Sequence, residues 1–382
     1  MGIYKIQGEK KDGLQKYRVV VNYTDGYGKK RTVERKAYGK AAADAAEAEL
    51  REKINRGVPR NDLRAKPMTV SNLLDLYKTE KKNDIRATTM AKKVSILNSH
   101  VIPSLGTVRL RDLTPDVLND WRNKMNEKQI KTITRNGAYK ELRALLNYAV
   151  DRELLAASPM KKIQPFRDPY LETAQVRLRY YTEDEYAKFI AEAEKWANKR
   201  SDVRSKGICL FFKIAYMTGM RKGEINALRW SDLEDGYVWV RRSIAQKLKG
   251  EKWVETPPKN TASVRRIQLP EKLKEALNRH QEYQKRGTEK WNKSFFICGG
   301  TDPIPDTTLE KANERFAEAA GVKHITIHEF RHSHASLLCN AGINIKEIAR
   351  RLGHSRVEMT LKTYAHLYPK EEELAVAVLD KL

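Results

Sequence analysis

Cysteine is scarce in this chain. Cys209, Cys298 and Cys339 are its three, they lie far apart, and none belongs to a CxxC pair. That excludes a disulfide framework and a zinc finger as organising devices, and it fits a reducing cytosol. Long hydrophobic runs are missing too. No apolar stretch approaches the ~18 residues of a membrane span, and the N-terminus carries no apolar signal-peptide core. The expectation is a cytoplasmic protein with no membrane partner. No internal repeat or low-complexity tract interrupts the 382 residues, a length that accommodates two or three domains. Acidic residues are in deficit. Lys and Arg number 74 against 49 Asp and Glu, a formal net charge of +25. Such an excess calls for a polyanion, nucleic acid ahead of membrane.

Three regions differ in pattern. Residues 1–66 hold 17 Lys/Arg against 9 Asp/Glu. "LQKYRVVVNY" (14–23) alternates Tyr17, Val19, Val21 and Tyr23 with Lys16, Arg18, Val20 and Asn22, a half-buried strand. "KRTVERKAY" (30–38) reads as the next strand after a turn at 25–30. The alanine-rich segment 40–54 reads as a helix with Ala43, Ala46, Leu50 and Ile54 on one side. A small sheet with one helix over its Tyr17/Val19 face follows. The open face would carry Lys16, Arg18, Asn22, Lys30 and Lys36, either as a DNA-reading surface or as a solvated charged face. Residues 57–68 read as a linker. Segments near 69–82, 87–102, 115–125 and 131–152 carry helical apolar stripes, with Thr114 as an N-cap before Pro115. The proline-bearing, basic stretch 158–180 reads as a second linker. A third unit begins at "TEDEYAKF", where Thr182 and Glu185 fit a capping box. It runs to the C-terminus with a strand-rich insert near 237–269. There "RRIQLP" (265–270) puts Ile267 and Leu269 on one face, and "TPPKNTAS" (256–263) places Lys259 on a hairpin tip.

Chemistry concentrates in the third unit. "TGMRKGEINALRW" puts Arg221 at a helix start with Glu224 three residues on. In "HITIHEFRHSHAS" a Thr326–Glu329 capping box would place His328 in the first helical turn, with Arg331 on the same face. In "LGHSRVEMTLKTYAHLYP", Gly353 suits a helix end. Ser355 and Glu358 fit a capping box, and the next helix should run from Val357 to about Tyr368, stopped by Pro369. Val357, Leu361, Tyr364 and Tyr368 then form an inward stripe. His354 sits in the link. His366 lies two residues, roughly 200°, from Tyr364 and faces away from it. Two arginines, a lysine, two histidines and a tyrosine suit phosphodiester exchange without a metal. Arginine forks bind both non-bridging phosphate oxygens, Lys or His moves protons, and a tyrosine in a cationic pocket can act as nucleophile. Against this, Arg221–Glu224 alone reads as a surface ion pair, and Tyr364 alone as core packing. His328, His332 and His334 could suggest a metal, but no carboxylate or cysteine beyond Glu329 completes a ligand set.

The ordered set resembles the tyrosine recombinases, the phage-type integrases, and among them the integrases of conjugative transposons. "TGMRKGEI", "PPKNTASVRRIQLP", "HEFRHSHASLL" and "LGHSRVEMTLKTYAHL" carry the likeness. It implies a multidomain, mainly α protein. An arm-type DNA-binding domain (1–60) would be followed by an all-α core-binding domain (67–160), a basic linker (161–179) and a mixed α+β catalytic domain (180–382). By the same likeness Arg221 and Arg331 would clamp the scissile phosphate, and Lys259 would protonate the departing 5′ oxygen. His328 would be the acid/base partner, His354 would hydrogen-bond the phosphate or leaving group, Tyr364 would form the 3′-phosphotyrosine, and Glu224 would support. His332, His334 and His366 acquire no chemical role from it. Expected partners are attachment-site duplex DNA with core and arm sites, a homotetramer on DNA, and an excisionase and a DNA-bending protein as accessories. No cofactor is implied. The tail 370–382, with Leu374, Val378, Leu379 and Leu382, is expected to be a short helix that docks on a neighbouring protomer, the alternative being docking on its own domain. The alternatives are a DNA-binding regulator without catalysis, type IB topoisomerase-like relaxation, and a metal-dependent nuclease.

Overall fold

The computed structural model describes residues 2–24, 30–55, 68–168, 178–246, 250–258, 263–287 and 290–368, together with Val376, Leu379 and Asp380. Two compact units divide the chain, Met1–Pro169 and Tyr170–Leu382.

The first unit contains two separate cores. β1 (Gly2–Lys11), β2 (Leu14–Thr24) and β3 (Lys30–Tyr38) form an antiparallel sheet in sequence order, and α1 (Lys40–Asn55) packs on one face. Val19, Val21 and Val33 meet Ala43, Ala46 and Leu50 there. The strand alternation predicts this face. β1 is an addition to the sequence reading, because "GIYKIQGEKK" lacks a clean period of two. The register sets Arg18 opposite Lys36, Asn22 opposite Thr32 and Thr24 opposite Lys30, so the expected basic side chains share the open face. Glu34 lies on it too, ion-paired to Arg18.

The second core belongs to α2 (Val70–Glu80), α3 (Ala87–His100), α4 (Ile102–Leu105), α5 (Pro115–Glu127) and α6 (Thr132–Asp151). Thr114 caps α5 through the Val117 amide, as its position before proline predicts. The stretch beyond α6 corrects the linker reading. Met160, Ile163 and Phe166 are buried in this core, and Asn136 bonds the Phe166 backbone in both directions. The helical unit therefore continues to at least Phe166. Its prolines interrupt helix without interrupting packing.

The second unit is built around α8 (Val203–Thr218), which is buried on nearly every side. α7 (Glu183–Asn198) opens with the expected Thr182–Glu185 capping box. Phe189, Phe212, Phe316 and Phe330 make edge-on contacts in the middle of the core. α9 (Lys222–Asn226) follows, then two small sheets. One has β4 (Leu233–Glu234), β5 (Tyr237–Val240) and β8 (Arg265–Gln268). The other pairs β6 (Ser243–Ala245) with β7 (Val254–Thr256). β7 and β8 thus lie in different sheets. Lys259 itself lies outside the described residues. α10 (Glu271–Arg286), α11 (Asp306–Ala319), α12 (Glu329–Asn340), α13 (Ile345–Leu352) and α14 (Val357–Tyr364) complete the unit. Leu374, Val378 and Leu382 of the tail stripe also lie outside the described residues. No described helix is long and apolar enough to cross a membrane.

Candidate active site

α8 ends at Gly219, whose φ of +66° provides a left-handed cap. A side chain there would meet the His334 ring at 2.6 Å. The Gly219 carbonyl accepts from Arg331 Nη1 at 2.9 Å. Two residues on, Arg221 starts α9. Its amide donates to Glu224 Oε2 at 3.0 Å and its Nη1 to Oε1 at 2.8 Å. The Arg221 side chain stays 39% exposed while Glu224 is 7% exposed, so the pair is half buried rather than a surface pair.

Glu224 has a second partner. Arg265 Nη2 donates to its Oε2 at 2.8 Å, and this guanidinium is almost fully enclosed. Burial opposes the Glu224 charge. The Arg265 hydrogen bond and charge, with the Arg221 amide, outweigh it and lower the pKa. Arg265 also donates to the Ser263 carbonyl at 3.2 Å and the Arg351 carbonyl at 2.6 Å. Gly353, with φ of +69°, lies so close that a Cβ would sit 2.8 Å from Arg265 Nη1. One guanidinium thereby ties together the start of α9, the entry to β8 and the end of α13, just before His354.

Arg331 is 3% exposed, on the buried side of α12. Its Nη2 is buried without a hydrogen-bond partner among the described residues. Burial, and then the Arg221 charge, pull its pKa down to about 9. It remains a cation at neutral pH with a donor to spare, which is what a phosphate oxygen would satisfy. Its neighbours respond to it. Burial and then the Arg331 and Arg221 charges lower His354 to about 4. Loss of hydration and then the same two arginines lower His328. Both imidazoles are thus biased toward the neutral form, able to give or take one proton.

Helix boundaries depart from expectation at both functional helices. α12 begins at Glu329, and His328 is its N-cap residue rather than part of the first turn. Only the Glu329 half of the expected box forms, its carboxylate accepting from the Thr326 amide at 2.5 Å. α14 begins after Arg356 with no side-chain cap, so Ser355 and Glu358 form no capping box. It ends at Tyr364, and Ala365–Leu367 continue as a 3-10 turn. The apolar stripe is inward only in part, at Tyr364 and Tyr368. Leu361 is 49% exposed, and Thr360 and Tyr364 are the buried pair of the helix. Short helices are fixed by what they touch more than by pattern. Here Thr360 Oγ1 bonds His354 Nδ1 at 2.7 Å, and the Tyr364 hydroxyl bonds His332 Nδ1 at 2.5 Å.

Tyr364 is 2% exposed. Burial pushes its pKa up to about 12, and the Arg331 charge works against that rise. Tyr368, four residues on, donates to the Ile343 carbonyl at 2.5 Å. His334 is a packing residue, its Nδ1 donating to the Tyr216 carbonyl at 2.8 Å, and His366 is exposed. Among the described residues no group of three His, Cys, Asp or Glu is placed to hold a metal. The structure gathers Arg221, Glu224, His328, Arg331, His354 and Tyr364 in one cluster. Sequence reasoning missed Arg265 and His332. The alternation of Arg265 with buried Ile267, and the i, i+4 spacing of His332 from His328, were the available signals.

Fold and side-chain cluster define a tyrosine-recombinase catalytic domain. Residues 179–371, half of the chain, match the model of the phage integrase family, and residues 69–126 match the phage integrase N-terminal SAM-like domain. The chain is 24% identical to the ICEBs1 integrase of Bacillus subtilis over 87% of its length and 89% of that protein. It is 27% identical to a XerC-like tyrosine recombinase of Caldanaerobacter subterraneus over 97% of each chain. Among solved structures it is similar to the Tn1549 transposon integrase in complex with a circular intermediate DNA. The TM-score is 0.65 at 20% identity, covering 82% of this chain and all of that one. It is also similar to a lambda integrase tetramer bound to a Holliday junction, with a TM-score of 0.57 at 19% identity, covering 96% of this chain and 94% of that one. These structural likenesses establish the fold. The chain belongs to the phage integrase family, and it is an integrase-type tyrosine recombinase for integration and excision of a mobile element.

Proposed function

We propose that this recombinase cuts one DNA strand at its attachment site through Tyr364. The phenolic oxygen forms a bond to the scissile phosphorus as the bond to the 5′ oxygen breaks, leaving a 3′-phosphotyrosine. The freed 5′ hydroxyl of a partner strand reverses the step. Phosphodiester energy is retained in the covalent link, so neither ATP nor metal is called for. Arg331 and Arg221 serve as the phosphate clamp, supported through Glu224. Lys259 protonates the leaving oxygen, an assignment that rests on the family resemblance. His328 is an acid/base partner, and His354 hydrogen-bonds the phosphate or the leaving group.

The observation that carries this reading is the enclosed Tyr364 hydroxyl within the field of Arg331, whose Nη2 is buried and unpartnered. Preorganised donors of this kind are worth several kcal/mol when charge builds on a transferring phosphoryl group. The helical unit would hold the core site. The open sheet face of Lys16, Arg18, Asn22, Lys30 and Lys36 would address arm sites. Four protomers would act on two duplexes in the cytoplasm, aided by an excisionase and a DNA-bending protein, with the tail 370–382 docked on a neighbouring protomer.

A suicide attachment-site duplex incubated with the protein in EDTA tests the chemistry. A covalent protein–DNA adduct is expected, and Tyr364→Phe abolishes it. An adduct that persists in that variant overturns the nucleophile assignment. A strict metal requirement favours a nuclease, and binding without any adduct favours a regulator.

A further inference from the structure

We infer that His332, one position beyond the clamp arginine, takes the proton from the Tyr364 hydroxyl as strand cleavage begins. The inference rests on Tyr364 being the nucleophile and deepens that reading. Its ground is geometric. His332 Nδ1 lies 2.5 Å from the Tyr364 oxygen, with ring centroids 5.7 Å apart. Among the described residues His332 is the hydrogen-bond partner of that hydroxyl. A general base must lie within hydrogen-bond reach of its proton, and this ring does.

The surroundings suit the task. His332 sits on α12 one helical turn beyond His328, whose ring meets it edge-on at 5.4 Å. The charged and titratable groups facing it are His328, Glu329, Arg331 and Tyr364 itself. Burial and then His328 lower its pKa, which keeps it neutral before cleavage. With Tyr364 donating, the ring proton resides on Nε2 and Nδ1 is the acceptor. During attack the O–H bond of Tyr364 breaks and its proton moves to Nδ1. The phenolic oxygen bonds to phosphorus, and the P–O5′ bond breaks with the leaving oxygen protonated from the other side. In the rejoining step the resulting imidazolium returns its proton to the phenolate that departs. His328, which carries the family histidine position, contacts the imidazole rather than the nucleophile and serves as a partner to His332.

Single-turnover cleavage of the suicide duplex by the full chain separates the roles. His332→Ala is expected to cleave about 100-fold more slowly, the lower range for general-base catalysis, with DNA binding unchanged. His332→Gln, which can hold the hydroxyl but not accept its proton, should be as slow. Two modified reactants locate the proton. Replacing Tyr364 by a trifluorinated tyrosine, whose hydroxyl ionises more readily, should recover at least tenfold of the loss in His332→Ala. A 5′-thio leaving group, which needs no protonation, should recover none of it. Recovery by the 5′-thio substrate instead places His332 on the leaving side and overturns the inference. So does a His332→Gln variant at the wild-type rate, or the absence of any recovery by fluorination. An adduct formed by Tyr364→Phe contradicts the nucleophile reading itself, a separate outcome.

Discussion

The helical unit and the catalytic unit spend their interiors differently. Among the described residues of 68–168, the buried polar side chains are Thr132 and Ser158, and charges such as Lys78 and Asp75 pair on the surface. The catalytic unit buries Glu224, Arg265 and Arg331, with His280 and His334. Enclosing charge is costly unless it is paired and hydrogen-bonded. In the catalytic unit the buried ionic links hold the start of α9, the entry to β8 and the end of α13 to one another.

The largest stability effect should fall on that network. Glu224→Ala leaves the Arg265 guanidinium enclosed without a counter-charge and should cost about 3–5 kcal/mol by denaturant unfolding. Lys78→Ala in the helical unit should cost less than about 1 kcal/mol. Equal costs would erase the contrast. Next comes Arg331→Lys, which keeps charge but loses the fork. Cleavage should fall about 10²–10³-fold with DNA binding nearly unchanged. Matching losses in both would make Arg331 a folding residue.

Acid sharpens the comparison further. Burial lowers His280 to about 4 and His334 to about 3, against 6.5 for an exposed histidine. From pH 6.5 down toward 4 the unfolded chain therefore binds more protons than the folded one, and stability falls as pH falls. The lowered Glu224 adds to this. Its contribution is full above 4.5 and is lost as pH drops through its folded value. A separate unfolding transition for residues 178–368 should move to lower temperature at pH 5, while that of the helical unit holds. A common shift would contradict the account. The smallest effect is Leu361→Ala, expected within about 0.5 kcal/mol in thermal unfolding, because that side chain is half exposed. A loss above 2 kcal/mol would restore the inward stripe.

Long-period signals were legible in the sequence and contact-determined ones were not. The four main helices of 68–168 and the covered face of the N-terminal sheet follow from periodicity over ten residues or more. The limits of α12 and α14 do not, because a short helix is positioned by single contacts. Ser355 and Glu358 resemble a cap that the chain never closes, while Thr360 anchors the helix to His354 just before it and Tyr364 to His332, 32 positions away. In the site, the order of Arg221, His328, Arg331, His354 and Tyr364 identified the cluster. Arg265 and His332 became visible only when the fold brought residues 41 and 32 positions apart into contact.

The decisive question is which oxygen carries the DNA. Trapping the adduct, digesting it with protease and nuclease, and sequencing the modified peptide by mass spectrometry reads this directly. A 3′-phosphate nucleotide is expected on Tyr364. The same mass on Tyr368, or on any residue outside α14, would overturn the nucleophile assignment.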